Sequence, residues 1–216
     1  MEFLEFVRGP GLQVAMTVFV IGVIWRLAAL LLRPQPRDLS VGRGGRLWGA
    51  LVTIVRRSWS SASFREKTSV PYTIAWAFHL GLFVIVVGGT PHILFFGDLM
   101  GLTWPGLPKG VIDIVAGVTL GALIFALWRR VTHPVRRMLS GVDDYVSWAL
   151  TTATVLTGLL ATSGLGARYE TLLAVHILSF ELLLVWFPWG KLMHAFLFVG
   201  ARGATGARFA HRGAPT

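Results

Sequence analysis

Five stretches of this chain are apolar for long enough to cross a bilayer, and polar, mostly basic stretches separate them. They run from about Gly11 to Leu32, Pro71 to Phe96, Gly110 to Trp128, Tyr145 to Thr162 and Thr171 to Val199. A helix rises about 1.5 Å per residue, so roughly 20 apolar residues span the hydrocarbon core. The pattern predicts an all-α integral membrane five-helix bundle over residues 1–199, with a long loop at 33–70. Inside that loop, Leu47, Leu51, Ile54 and Val55 recur at helical spacing beside Arg46, Arg56 and Arg57. Such a basic amphipathic helix lies among lipid headgroups or docks a cytoplasmic subunit. The Gly/Ala/Arg-rich residues 200–216 read as a flexible tail.

The charges orient the bundle. The loop after the first span holds Arg33, Arg37, Arg43, Arg46, Arg56, Arg57, Arg65 and Lys67. The third loop holds Arg129, Arg130, Arg136 and Arg137, and the C-terminal end Lys191, Arg202, Arg208 and Arg212. The opposite side has only Arg8, Lys109 and Arg168. Sixteen against three places the N-terminus outside and the C-terminus in the cytoplasm, in the cell inner membrane. Composition agrees: the chain is 54% hydrophobic and 14% charged, where soluble domains carry about 25% charge. The net charge of +10 sits in the loops, which suits anionic lipid and argues against nucleic acid. The start, MEFLEFVRGP, is acidic and lacks a cleavable-signal pattern, so the first span is expected to stay. Cysteine is absent, which excludes thiolate zinc sites, cysteine-ligated iron–sulfur clusters and covalent haem attachment.

Histidine is then the candidate ligand. His176 and His194 lie 18 residues apart in one apolar segment. At about 100° per residue that is five full turns, so an unbroken helix aims both rings from one face, roughly 27 Å apart. With the orientation above, His176 is outer and His194 inner; His79 is inner and His92 outer. Depth pairs His79 with His194 and His92 with His176, as in a membrane cytochrome b with two stacked redox centres. Intramembrane imidazoles are costly unless paired, and the bland alternative is hydrogen bonding between helices. His92 stands about 220° from His79 on an ideal helix, but Gly88, Gly89 and Pro91 lie between them and can bend or unwind it. His133, in a basic loop, and His211, in the tail, read as solvated. Glu181, on the fifth span, reads as a proton-handling or polar-contact group. Arg26 either pairs with a haem propionate or snorkels to the inner surface.

The segment HILSFELLLVWFPWGKLMHAF resembles the fifth span of the respiratory nitrate reductase gamma subunit family, with its paired histidines and an aromatic Phe-Pro before the second. FHLGLFVIVVGG resembles that family's second span, and RRVTHPVRRMLSGVDDYVSWAL the loop into its fourth. The resemblance implies two b-type haems between the second and fifth spans. His79 and His194 would hold the inner one. The outer would take His176 and a histidine ten residues after His79, where this chain has Gly89. Either His92 substitutes, or the outer haem is bound differently or absent. The resemblance also implies a quinol site near the outer haem, with Lys109 at the matching place and Asp113 one turn on as a proton acceptor. The plain alternatives are a snorkelling lysine and a carboxylate at a helix start.

The expectation is an electron-transfer subunit, not catalytic alone, that links the quinone pool to an iron–sulfur partner and a catalytic subunit. Related cytochromes of hydrogenase or heterodisulfide-reductase-like complexes imply the alternative of delivering electrons to quinone. Rivals of another class are a haem-free transporter and a structural anchor.

Overall fold

The computed structural model describes residues 2–34 and 38–214; Arg37, counted above among the loop cations, lies outside them. The described residues are helices and connecting turns without strands, and five helices are long and apolar enough to span a membrane. The protein is a multi-pass, all-α membrane protein.

The first span comprises α1 (Glu2–Phe6), a π-helical turn at Val7–Gly11, and α2 (Leu12–Leu31). Pro10 lies inside the π turn and has no N–H to donate, which favours the departure from regular helix there. After the loop come α3 (Arg46–Arg56), α4 (Arg65–Gly88) and α5 (Thr90–Met100). The third and fourth spans are α6 (Lys109–Thr132) and α8 (Val142–Ser163), joined through the short α7 (Pro134–Met138). Then follow α9 (Tyr169–Trp186) and α10 (His194–His211).

Three expectations are corrected. The second apolar stretch is not one helix to Phe96: α4 ends at Gly88 and α5 starts at Thr90. The fifth is not continuous to Val199: Pro188 and Gly190 end it after Trp186, so His176 and His194 stand on different helices and the five-turn phase argument fails. The tail is not flexible through its length, because α10 continues to His211.

The chain forms two compact units, Met1–Val18 with Thr73–Trp186 and Phe19–Tyr72 with Phe187–Thr216. In the first, α4 and α6 approach so closely that a Cβ on Gly81 would land on Thr119 Oγ1. Thr119 is fully buried and turns its hydroxyl back to Val115 O at 2.7 Å. Small residues let backbones approach in membranes, where dispersion replaces the hydrophobic drive. Trp148 Nε1 ties α8 to Leu123 O of α6 at 2.8 Å, and Trp186 Nε1 ties α9 to Ser147 Oγ at 3.0 Å. At one end Arg130 bonds Asp144 at 2.8 Å and Ser140 at 2.9 Å.

In the second unit, α3 forms the expected amphipathic helix and lies against α10. Gly49 and Gly206 meet backbone to backbone, since a Cβ on Gly49 would stand 2.6 Å from Gly206 O. Arg202 reaches Ser58 Oγ at 2.9 Å, and His211 Nε2 donates to Ser40 O at 3.2 Å. His211, expected to be solvated, is therefore part of this packing; His133 is exposed at the start of α7. The far side of α3 leaves Leu47, Trp48, Leu51 and Val55 exposed.

Candidate functional site

The break in the second span builds the site. A regular helix would have residue 91 donate to Val87 O, but Pro91 has no N–H. The freed carbonyl takes the indole N–H of Trp104 at 2.7 Å, and Gly88 O takes the N–H of Leu107 at 2.8 Å. The loop from Gly101 to Pro108 thus folds back on the break and replaces the missing intrahelical bonds, which lipid cannot supply. Gly106 must be glycine-small for this, since a Cβ there would stand 2.7 Å from Thr90 Oγ1.

The restart at Thr90 turns α5 and carries His92 to His176 of α9, with ring centres 6.2 Å apart and planes at 53°. The phase of about 220° from His79 applied to an ideal helix; the break releases His92 from it. His92 Nδ1 donates to Ile85 O at 3.0 Å. His176 Nδ1 donates to Thr154 O at 3.1 Å and lies 3.3 Å from Thr157 Oγ1. Its ring rests on Gly158 of α8, where a Cβ would come 2.9 Å from Cε1.

His79 and His194 share one feature of this arrangement. His79 Nδ1 donates to Ala75 O at 2.7 Å and His194 Nδ1 to Lys191 O at 2.8 Å. A carbonyl only accepts, so in all four histidines Nδ1 carries the proton and the neutral ring has its lone pair on Nε2. Metal-ligating histidines are held this way, because the second bond fixes tautomer and ring direction. His79 belongs to the first unit and His194 to the second. In the second unit, Phe19, Phe187 and Phe196 cluster with ring centres 5.3 to 6.1 Å apart. Pro188 is fully buried there against Gly22, where a Cβ would stand 2.6 Å from it. The FPWG motif before His194 is thus a packed helix break.

Gly89 stands where the resemblance has a histidine. A Cβ at 89 would lie 2.7 Å from Ile85 O and 3.1 Å from His92 Nδ1. A side chain at 89 would clash with the Ile85 carbonyl and crowd the present seat of His92.

Lys109 and Asp113 bond each other at 2.5 Å at the start of α6, Lys109 directly after the capping Pro108 and Asp113 one turn on. Both reach the surface, Lys109 more than Asp113. Arg26 is exposed, and Glu181 is buried. Residues that pattern reading missed are Trp104, Thr154 and Gly158. Pro91 signals a freed carbonyl, and a lone glycine within a helix signals close approach, but neither signal names its partner.

A group of three or more His, Cys, Asp or Glu side chains able to hold a bare metal ion is absent among the described residues. A bis-histidine haem needs only two such side chains, because the macrocycle supplies the other donors. Two metal–nitrogen bonds of about 2 Å each would put two imidazole centres roughly 6 Å apart, the separation that the His92 and His176 rings have.

Among known proteins, a protein of Nitratidesulfovibrio vulgaris (strain Hildenborough) is 30% identical over 217 residues, covering 95% of this chain and 92% of its own length. No family model matches the chain, and no solved structure matches it.

Proposed function

This chain belongs to one family with the Nitratidesulfovibrio vulgaris protein, and we propose that it is the membrane cytochrome b subunit of a quinone-linked respiratory complex. One observation carries the reading: His92 and His176, from two separate helices, stand ring to ring with both Nδ1 atoms donated to backbone carbonyls. In this reading His92 and His176 would hold an outer haem b. His92 does the work that the nitrate reductase gamma pattern gives to residue 89. Depth along the spans and the resemblance assign a second haem to His79 and His194.

When bound, haem supplies one-electron transfer by cycling its iron. The residues do the rest. Ile85 O and Thr154 O hold the two rings by their N–H groups, keep each Nε2 as the coordinating atom and raise its basicity. The apolar spans around them keep water out. Lys109 and Asp113 stand at the membrane edge, where Lys109 Nζ would donate to a quinone oxygen and Asp113 Oδ2 would accept a quinol proton. An iron–sulfur partner would dock at the basic inner face, where the exposed side of α3 is available. The catalytic site belongs to that partner complex.

The test is haem content of the purified protein by reduced-minus-oxidised spectrum, counted per polypeptide. Two b haems are expected, falling to one in His92→Ala and in His176→Ala. An unchanged spectrum in both variants would overturn the assignment.

A further inference from the structure

Glu181 is the most deeply buried carboxylate in the apolar interior, 6% exposed on α9 within a membrane-spanning segment. Its Oε1 is fully enclosed and has no hydrogen-bond partner. The first span makes room for it: a Cβ on Gly11 would stand 2.8 Å from Oε1 and 3.1 Å from Oε2. Gly11 closes the π-helical turn Val7–Gly11, and Pro10 within that turn withholds an N–H. A π turn in a span is a local departure from regular helix that recurs at functional sites.

The same turn leads to the surface. Leu4, Glu5, Arg8 and Gly9, with Glu170 of α9, line an open cavity of about 450 Å³, and Gly9 is two residues from Gly11. Glu170 and Glu181 are 11 residues apart, about 20° past three full turns, so they share one face of α9. The charged and titratable groups on the packed elements are few. The first helix offers Glu2 and Glu5, the π turn Arg8, and α9 itself Tyr169, Glu170 and His176. Over the middle of α8 the polar side chains are hydroxyls, of which Thr151, Thr154 and Thr157 bond back into that helix and Thr152 does not.

An ionised carboxylate without a partner is several kcal/mol too costly in such surroundings, and the usual outcome is a neutral acid. We propose that Glu181 is an intramembrane proton-binding site, seated on Gly11 and exchanging its proton with the cavity lined by Glu5, Arg8 and Glu170. Proton uptake converts the carboxylate to the neutral acid; release returns that proton through the same cavity. The site is separate from the histidine pair, and its readout needs no haem.

The experiment is infrared spectroscopy of the full chain in lipid vesicles, before and after transfer to D₂O. A carboxylic-acid C=O band that shifts in D₂O is expected at neutral pH, and Glu181→Gln removes it. Gly11→Ala keeps the carboxyl but crowds Oε1, so the band moves. Glu170→Gln slows the D₂O shift without removing the band. If Glu181→Gln does not fold, carbodiimide labelling of the wild-type protein followed by peptide mass mapping locates the acid instead. Absence of the band, or its location elsewhere, overturns the site; a band that never shifts in D₂O overturns its access.

Discussion

At the scale of single residues, the site depends on groups that lack something. Gly158 lacks a Cβ, and the His176 ring occupies that space. Gly158→Ala therefore pushes the ring by several tenths of an ångström against its two bonds to α8. If the proposed haem is held there, its band should weaken or shift in the reduced-minus-oxidised spectrum, while helix content by circular dichroism stays unchanged. An unaltered spectrum would mean that the ring tolerates displacement and is not an axial ligand. Gly89 lacks a side chain in the same sense, and a Cβ there would meet Ile85 O and crowd the anchored Nδ1 of His92.

At the scale of elements, one proline decides the geometry of the second span. Pro91 frees Val87 O, and Trp104 takes it. Trp104→Phe leaves that carbonyl without a donor, a cost of about 1–3 kcal/mol, visible as a lowered melting temperature in detergent. Pro91→Ala restores an N–H to the position that a straight helix would use. The double variant Pro91→Ala/Trp104→Phe should regain much of the lost stability, yet lose the haem proposed for His92 and His176, because straightening carries His92 back toward the far face. Recovery of both stability and haem would show that the break does not position His92. A similar logic applies to FPWG before His194, where Pro188 on Gly22 holds the break.

At the scale of the molecule, residues far apart in sequence close the second unit. Asp38 accepts from the hydroxyl and N–H of Ser40 at 2.7 and 3.1 Å and from Arg212 at 3.3 Å. Those Ser40 bonds first, then Arg212, lower its carboxyl from 3.8 to about 2. A carboxylate lowered in this way stabilises the fold above the unfolded value of 3.8, and that contribution fades as the pH falls through about 2. Asp38 lies at the surface end of this unit, where water screens its charges, so the effect is small and local. It is read by pepsin release of the α10 terminus: wild-type protection should fall between 3.8 and about 2, and Asp38→Asn should lose that pH-dependent part. Equal pH profiles for the two would remove Asp38 from the closure of this unit. The tail that composition marks as loose is helical because Gly49 and Gly206 let α3 and α10 touch backbone to backbone.

Hydrophobic length and composition determined on their own that this is a five-span helical membrane protein, because in lipid each helix satisfies its own backbone and the apolar pattern is local. The amphipathic α3 was equally legible from its periodicity. The histidines were legible as candidates, since a polar ring in an apolar run is conspicuous whatever surrounds it. Tertiary structure alone decided where they point. A helical phase extends only to the next break, and Pro91 and Pro188 each end it. Which donor then takes a freed carbonyl is settled by a residue from another element, as Trp104 does for Val87, and no local pattern encodes that choice.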